Sequence, residues 1–252
     1  MKIQKIKKLK SGKYKLELED GTSIQLYDEV ILNHNLLFHK EIDSELFSQI
    51  DKENSYYYNY YKVLKYVLYK MRSRYEIEEY MTKQDISIED QNKILEKLEK
   101  NNLLNDSLFI KSFISDKVYL SNDGPNKIKN ELLKYKMEES EIEEILQEYD
   151  DKIFEEKLEK LIQKKMACNK TKSIFAMKQK LLNYLINLGY DYDSIIQKLD
   201  HMKGDNNLII KKEYDRLFRK LCKKYEGEEL KYQIKNRLYQ KGFSSDDINQ
   251  II

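Results

Sequence analysis

The chain has 252 residues, and its formal charge of +2 is the difference between 46 Lys+Arg and 44 Asp+Glu. Apolar residues make up 40% of it, which is enough for a core and argues against wholesale disorder. One Pro and seven Gly leave few places for tight turns, so helices are favoured over a many-stranded barrel or sandwich.

The segment 1–53 predicts a small β-rich module. Charged and apolar residues alternate from 13 to 19, Asp20-Gly21 is a hairpin signal, and the alternation resumes at Ile24. Residues 3–9 are a candidate third strand. Two short helices are predicted after the strands, over 28–34 and 43–50.

From residue 54 onward the pattern is helical, and three helix starts carry capping signals. Ser73 and Glu76 have the spacing of a capping box, in which each side chain accepts a backbone amide of the other residue. Asp106 precedes a second apolar pattern. At Gly124-Pro125 the proline takes the first helical position, where a missing N–H costs nothing. The tyrosine stripe at 56–61 is interpreted as core and cap rather than as a base-stacking platform.

The most informative feature is an internal repeat with a period of 53 residues. Gly189 and Gly242 coincide at this period, while Lys136 takes their place in the earlier copy, and 81–86 is a looser fourth copy. In each copy a helix ends at this position, where left-handed backbone is easy for Gly, and a short helix follows. The apolar positions in phase are Ile128/Leu181/Ile234, Leu132/Leu185/Leu238, Met137/Tyr190/Phe243, Ile142/Ile195/Ile248 and Leu146/Leu199/Ile252.

The repeat predicts a mainly α protein, in which tandem three-helix units follow the β-rich module and form an elongated, curved molecule. The predicted division has five parts. They are the module at 1–53 and three-helix repeats at 54–105, 106–151, 152–205 and 206–252.

Catalytic and metal-binding signatures are missing from the sequence. It contains no nucleophile elbow, P-loop or Rossmann glycine fingerprint, and its three histidines, His34, His39 and His201, are scattered without an acidic-histidine cluster nearby. Cys168 and Cys222 lack metal-ligand spacing and are interpreted as packing residues in helices. We therefore expect no enzymatic activity, no cofactor and no metal.

The sequence also lacks signals for membrane insertion or export. Its apolar runs are far shorter than the about 20 residues of a membrane span. The N-terminus is basic but has no apolar stretch of the kind found in secretory signals. We therefore expect a cytoplasmic protein that does not contact membranes.

The near-neutral total charge conceals strongly charged segments. Residues 138–160 contain eleven acids and three lysines, a net −8, whereas 161–189 has six lysines and no acid. Further basic clusters lie at 70–74 and 211–224. These segments are either solvated helix faces or contact surfaces for nucleic acid or a charged protein, and the sequence leaves both interpretations open.

Four motifs follow one another along the chain. They are Arg72-Ser73-Arg74-Tyr75-Glu76-Ile77, Leu104-x-Asp106-x-x-Phe109, Gly124-Pro125-x-x-Ile128-x-x-Glu131-Leu132 and Lys241-Gly242-Phe243-x4-Ile248. In this order and spacing they resemble the RecX family, whose members regulate the bacterial recombinase RecA. The likeness covers about residues 60–252, and the β-rich segment resembles an extension of longer family members. Lys136 and Asp85 depart from the glycine that the family usually has.

The resemblance implies a non-enzymatic modulator that lies in the groove of the recombinase–DNA filament, blocks its extension, and suppresses its ATPase, strand-exchange and coprotease activities. It would act in the regulation of DNA repair and the SOS response. A train of units can touch several subunits, so weak contacts add. We also expect weak direct DNA binding and a monomer. From charge and placement, the candidate contact residues are Arg72, Arg74, Lys127, Lys129, Lys178, Lys180, Arg216 and Arg219.

Two other functions stay open at this point. One is a direct DNA-binding protein built of tandem helix-turn-helix-like units, and the other is a helical scaffold for an unrelated partner. Inhibition of the DNA-dependent RecA ATPase by substoichiometric protein would favour the regulator. Reversal of Arg216 and Arg219 to Glu is expected to weaken that inhibition without unfolding the protein.

Overall fold

Helices make up most of the protein in the computed structural model, which describes residues 1–201 and 205–252. The strands are β1 (Ile3–Lys8), β2 (Tyr14–Leu18) and β3 (Ser23–Leu26). Within the described ranges the α-helices are α1 (Asp28–Asn33), α2 (Ser44–Tyr69), α3 (Arg74–Lys83), α4 (Ile88–Lys100), α5 (Asp106–Leu120), α6 (Pro125–Leu133), α7 (Glu139–Gln147), α8 (Asp151–Ala167), α9 (Ile174–Asn187), α10 (Tyr192–His201), α11 (Asn207–Leu221), α12 (Gly227–Tyr239) and α13 (Ser245–Asn249).

The three strands form one antiparallel sheet in the order β1-β2-β3. Leu16 of β2 is opposite Ile6 of β1 and Ile24 of β3, so the predicted alternation places apolar side chains on one face. Leu16 and Leu26 are buried in a core cluster that also contains Ile50 of α2. The predicted β-rich module and the mainly helical remainder are therefore confirmed.

The short helix predicted over 43–50 does not end there, because α2 continues to Tyr69. Asp43 caps its first turn by accepting the Leu46 amide at 2.7 Å. Residues 51–54 are charged or polar but include neither Gly nor Pro, so nothing in the backbone interrupts the helix. The predicted break was wrong, since a charged stretch is one exposed face of a continuing helix.

The tyrosine stripe on α2 is part of the hydrophobic core that also contains Leu16 and Leu26, as the sequence predicts. Tyr57 and Tyr60 are buried, and the ring of Tyr61 stacks on that of Tyr27 with 4.9 Å between the centroids. The Tyr61 hydroxyl donates a hydrogen bond to the carboxylate of Glu29. These rings join α2 to the segment that follows β3.

The positions equivalent to the repeat glycine share one backbone conformation. Gly189 and Gly242 have φ angles of 83° and 82°, and Asp85 and Lys136 have 54° and 56°. The left-handed helix end predicted at the glycines is therefore confirmed. The two non-glycine residues adopt it as well, so this conformation alone does not explain why glycine is needed at 189 and 242.

Close packing explains the glycines. A Cβ on Gly189 would lie 2.3 Å from the Lys127 amide nitrogen in the first turn of α6. A Cβ on Gly242 would lie 2.6 Å from the Cβ of Ala176 in the first turn of α9. The Gly124 amide also donates to the Leu188 carbonyl at 2.6 Å. The ends of α9 and α12 therefore each pack against the start of a helix about one repeat earlier in the chain, α6 and α9 respectively.

The chain separates into two compact units, Met1–Phe109 and Ile110–Ile252. The first contains the sheet and α1–α4 around one core cluster, and within the second α11–α13 have a core cluster of their own. The division into four repeats stays a prediction, and residues 202–204, in the predicted third repeat, lie outside the described residues. No helix in the described part of the chain is long and apolar enough to cross a membrane.

Candidate functional site

Arg72 lies in a cluster that fixes the start of α3. Its guanidinium binds the Glu76 carboxylate at 2.9 Å and lies 4.1 Å from the ring centroid of Tyr66. The Ser73 hydroxyl accepts the Glu76 amide at 3.1 Å, and Glu76 accepts the Ser73 amide at 3.2 Å. The predicted capping box is confirmed, and such a cap stabilises a helix by about 1 kcal/mol.

Arg74 is half exposed and also occupied by neighbours in its own unit. Its guanidinium pairs with Glu99 and lies 3.8 Å from Glu78. Its backbone amide donates to the Asp106 carboxylate at 2.8 Å. Asp106 is the acid of the second sequence motif, and Phe109 of that motif is buried. The first two motifs therefore describe how α3 is fixed to the start of α5.

Lys127 belongs to an ion cluster at the start of α6. Asp123 is 7% exposed and accepts Lys127 at 2.6 Å and Lys117 at 3.0 Å. Lys117 also binds Glu131 of the third motif at 2.6 Å. Burial raises the pKa of the Asp123 carboxyl, but hydrogen bonds from Lys127 and Lys117 outweigh burial and lower the pKa overall. Asp123 is therefore an ionised anchor between α5 and α6.

We expect Asp123→Asn to lower the free energy of unfolding at neutral pH by about 2 kcal/mol, because two charge-assisted hydrogen bonds are lost. The folded-state pKa of Asp123 lies below its unfolded value, so its stabilising effect is present above that value, about pH 4, and is lost as the pH falls through the folded pKa. Urea titrations followed by circular dichroism at neutral pH and at about pH 3 measure this contribution.

The exposed Asp116 offers the matched control Asp116→Asn. We expect its free energy of unfolding to stay within about 0.5 kcal/mol of the wild type. The assignment of Asp123 as an ionised anchor would be contradicted if Asp123→Asn lowered the free energy of unfolding by as much at low pH as at neutral pH.

Lys129 is bound by the acidic segment rather than left for a partner. Its ammonium lies 2.6 Å from Glu139 and 2.5 Å from Glu143. Lys198 approaches Glu155 and Glu159 of the same segment, each at 3.9 Å. Part of the −8 charge at 138–160 is therefore compensated by lysines of other helices within the second unit.

Lys178, Lys180 and Arg219 carry charges with no acidic partner anywhere in residues 1–201 and 205–252. Lys180 and Arg219 are exposed, and Lys178 is half-buried. Lys178 and Lys180 belong to α9, and Arg219 belongs to α11. Of the eight candidates, these three have charges available to a partner without breaking an internal pair.

Arg216 is bound to a buried carboxylate. Glu213 is fully buried on α11 and accepts Arg216 through Nε at 3.1 Å and Nη2 at 2.7 Å. Lys241, beyond α12, binds the same carboxylate at 2.9 Å. Arg216→Glu would place a second carboxylate beside Glu213, so we expect this reversal to lower the stability of the fold as well as to change the surface charge.

Sequence reasoning missed Glu213, Asp123 and their lysine partners as organising residues. A signal for Glu213 is present, because Ile210, Leu217 and Leu221 are apolar at helical spacing and Glu213 falls on the same face. Asp123 gives no comparable signal. Its partner Lys117 belongs to α5, and only the fold brings the two together.

The interpretation of the two cysteines as packing residues was wrong. Cys168 and Cys222 are exposed, because each lies just past the end of a helix rather than on its packed face. His34 lies 2.5 Å from one carboxylate, that of Glu53 on α2, and this pair is not a cluster of histidines and acids. In the described part of the chain, no group of three or more His, Cys, Asp and Glu is arranged to hold a metal ion.

The fold and the surface charges place the protein in a structural class. The described residues form a helical-repeat protein with a β-rich N-terminal module, internal ion pairs and a few unpaired cations on α9 and α11. Helical-repeat proteins as a class often present extended surfaces to other macromolecules.

Comparison with known proteins identifies the family. A model of the third three-helix domain of RecX matches residues 209–252. Regulatory protein RecX of Streptococcus gordonii is 31% identical over 100% of this chain and 98% of its own length, and that of Streptococcus agalactiae serotype III is 33% identical over the same shares. The chain belongs to the RecX family, and this membership supports a regulatory role.

Two solved structures agree with the fold. A crystal structure of regulatory protein RecX covers 80% of this chain and 100% of its own, with a TM-score of 0.67 at 23% identity. The crystal structure of RecX from Lactobacillus salivarius covers 58% of this chain and 97% of its own, with a TM-score of 0.53 at 29% identity. The resemblance based on four motifs is thereby confirmed.

Proposed function

We propose that this chain is a non-enzymatic negative regulator of the RecA recombinase, which binds the RecA–DNA filament in the cytoplasm and lowers its ATPase, strand-exchange and coprotease activities. The observation that carries the proposal is the likeness to regulatory proteins RecX along the whole chain. No catalytic role is assigned to any residue.

Successive helix ends in the second unit are seated in the same way, which suits a protein that follows a repeating partner. The helix end at Gly189 packs closely on the start of α6, and the helix end at Gly242 packs closely on the start of α9. A surface with a regular repeat can contact several subunits of a filament at once. Contacts that are individually weak then add through effective concentration.

We assign the electrostatic contacts first to Lys178, Lys180 and Arg219. Their charges have no acidic partner among the described residues, so binding would not have to break an ion pair. Arg72, Arg74, Lys127, Lys129 and Arg216 already bind carboxylates within the fold. These five contribute by holding helices in place, and any contact they make with the partner is secondary.

The triple reversal Lys178→Glu/Lys180→Glu/Arg219→Glu is expected to raise the concentration that half-inhibits the single-strand-DNA-dependent RecA ATPase by about tenfold or more, since three favourable contacts become repulsive. The measurement is a titration of the protein into RecA assembled on single-stranded DNA, with ATP hydrolysis followed continuously.

The charge-matched control reverses three exposed lysines of the first unit, Lys10, Lys40 and Lys65. It has the same net charge as the triple reversal, and we expect less than about a threefold change. Equal losses in the two variants would show a general charge effect and contradict the assignment to α9 and α11.

A further inference from the structure

A basic cleft of about 350 Å³ lies between α11 and the end of α12. Its lining contains four cationic side chains and no carboxylate. The lining residues are Arg216, Leu217, Lys220, Arg237, Gln240 and Lys241. The candidate contact residue Arg216 therefore belongs to a concave site as well as to an ion pair.

A buried carboxylate organises two of these cations. Glu213 is 1% exposed and holds the Arg216 guanidinium through two nitrogens and the Lys241 ammonium at 2.9 Å. It balances one of the four charges, which leaves the cleft at net +3. A guanidinium held in this way loses little conformational entropy when it meets an anion.

The other two cations have no such partner. Lys220 and Arg237 are exposed, and neither has an ion pair within the two described ranges. They belong to different helices, α11 and α12, so the cleft presents unpaired charge from both of its walls. Like charges gathered in one concavity favour an anionic ligand.

We propose that this cleft is a binding site for a phosphate group, supplied by the backbone of single-stranded DNA or by a small phosphate compound. Arginine and lysine together offer the many N–H donors that phosphate oxygens accept. The cleft would bind phosphate in this chain by itself, without the recombinase.

The test compares two pairs of substitutions on the full chain. Lys220→Gln/Arg237→Gln removes the unpaired cations of the cleft, and Lys211→Gln/Lys212→Gln removes two exposed lysines of α11 that do not line it. Fluorescence anisotropy of a labelled oligothymidylate at low salt gives each Kd. We expect a loss of about tenfold for the cleft pair and less than about threefold for the control, with a salt dependence reduced by about one phosphate contact or more.

Titration with inorganic phosphate, followed by NMR shifts of amides at residues 216–220 and 237–241, distinguishes the two sources. Oligothymidylate binding that requires the cleft identifies the DNA backbone, and shifts with phosphate alone identify a small compound; both support the site. Three results would overturn the proposal. They are equal losses in the two variants, no binding of either probe, and binding of oligoglutamate that depends on Lys220 and Arg237 as strongly as binding of oligothymidylate does.

Two features keep this test interpretable. Because Lys220 and Arg237 are exposed, both should be replaceable without unfolding, and the single variant Lys220→Gln repeats the comparison if the pair proves unstable. No recombinase is present, so a negative result leaves the proposed regulation of RecA standing, and failure to inhibit RecA leaves the phosphate site standing.

Discussion

Gly189→Ala is expected to lower the free energy of unfolding by about 3 kcal/mol. The left-handed φ of 83° costs any residue with a Cβ about 1–2 kcal/mol. The new methyl would also lie 2.3 Å from the Lys127 amide nitrogen and 2.5 Å from its Cβ, and such overpacking costs about 1–3 kcal/mol. Denaturant unfolding followed by circular dichroism measures the sum.

Gly227 provides the matched control within the same unit. Its φ is also positive, at 56°, but a Cβ there meets nothing within 4 Å, so Gly227→Ala carries the backbone cost without the collision. We expect a loss of about 1 kcal/mol for it. If the two alanine variants were equally stable, the packing of Gly189 on α6 could not be the reason for that glycine.

Arg216→Gln/Lys241→Gln is expected to lower the free energy of unfolding by about 3–5 kcal/mol, because it leaves a buried charge without a partner. Glu213 is 1% exposed, and these two cations are the only ion-pair partners it has in the described part of the chain. Either single substitution leaves one cation in place and should cost less than half of this amount. Denaturant titration at neutral pH is the measurement.

Neutralising the acid as well should restore much of the loss. Glu213→Gln in the double variant replaces the stranded carboxylate by an amide, which costs far less to bury. We expect the triple variant to be more stable than the double variant by about 2 kcal/mol. A triple variant that is less stable than the double would show that Glu213 has another role in the core.

Much of the fold could be predicted from short sequence patterns. The spacing of Ser73 and Glu76 gave a capping box, Gly124-Pro125 gave the start of α6, and the alternation around Leu16 gave the sheet. Each of these depends on neighbours in sequence, so one chain is enough to predict it. The repeat glycines predicted a feature shared by separate copies, because Gly189 and Gly242 each indicated a left-handed helix end. The same backbone conformation recurs at Lys136.

The candidate site was less predictable because its contacts join distant residues. Charge alone placed Arg72 and Lys129 on a contact surface, whereas the fold gives them Glu76 and Glu143 as partners. The sequence signals for the cleft were the basic cluster at 211–224 and Glu213, an acid on an apolar helix face. Its second partner, Lys241, is 28 residues further along the chain and reaches it only after α12 has folded back.

The motifs shared with the RecX family also have a structural explanation. Arg72 and Glu76 fix the start of α3, Asp106 at the start of α5 accepts the Arg74 amide, and Gly242 allows close packing on α9. These residues fix where neighbouring helices begin and pack. We propose that partner recognition depends instead on exposed residues such as Lys180 and Arg219.

The most direct test of the account is a titration of the wild-type chain into RecA on single-stranded DNA, with ATP hydrolysis as the readout and bare competitor DNA added in a parallel series. A regulator that binds the filament should inhibit at fewer than one molecule per RecA subunit, and competitor DNA should leave that inhibition in place. Inhibition that begins only when the chain saturates the DNA, and disappears on adding competitor, would contradict the account and indicate a DNA-binding protein instead.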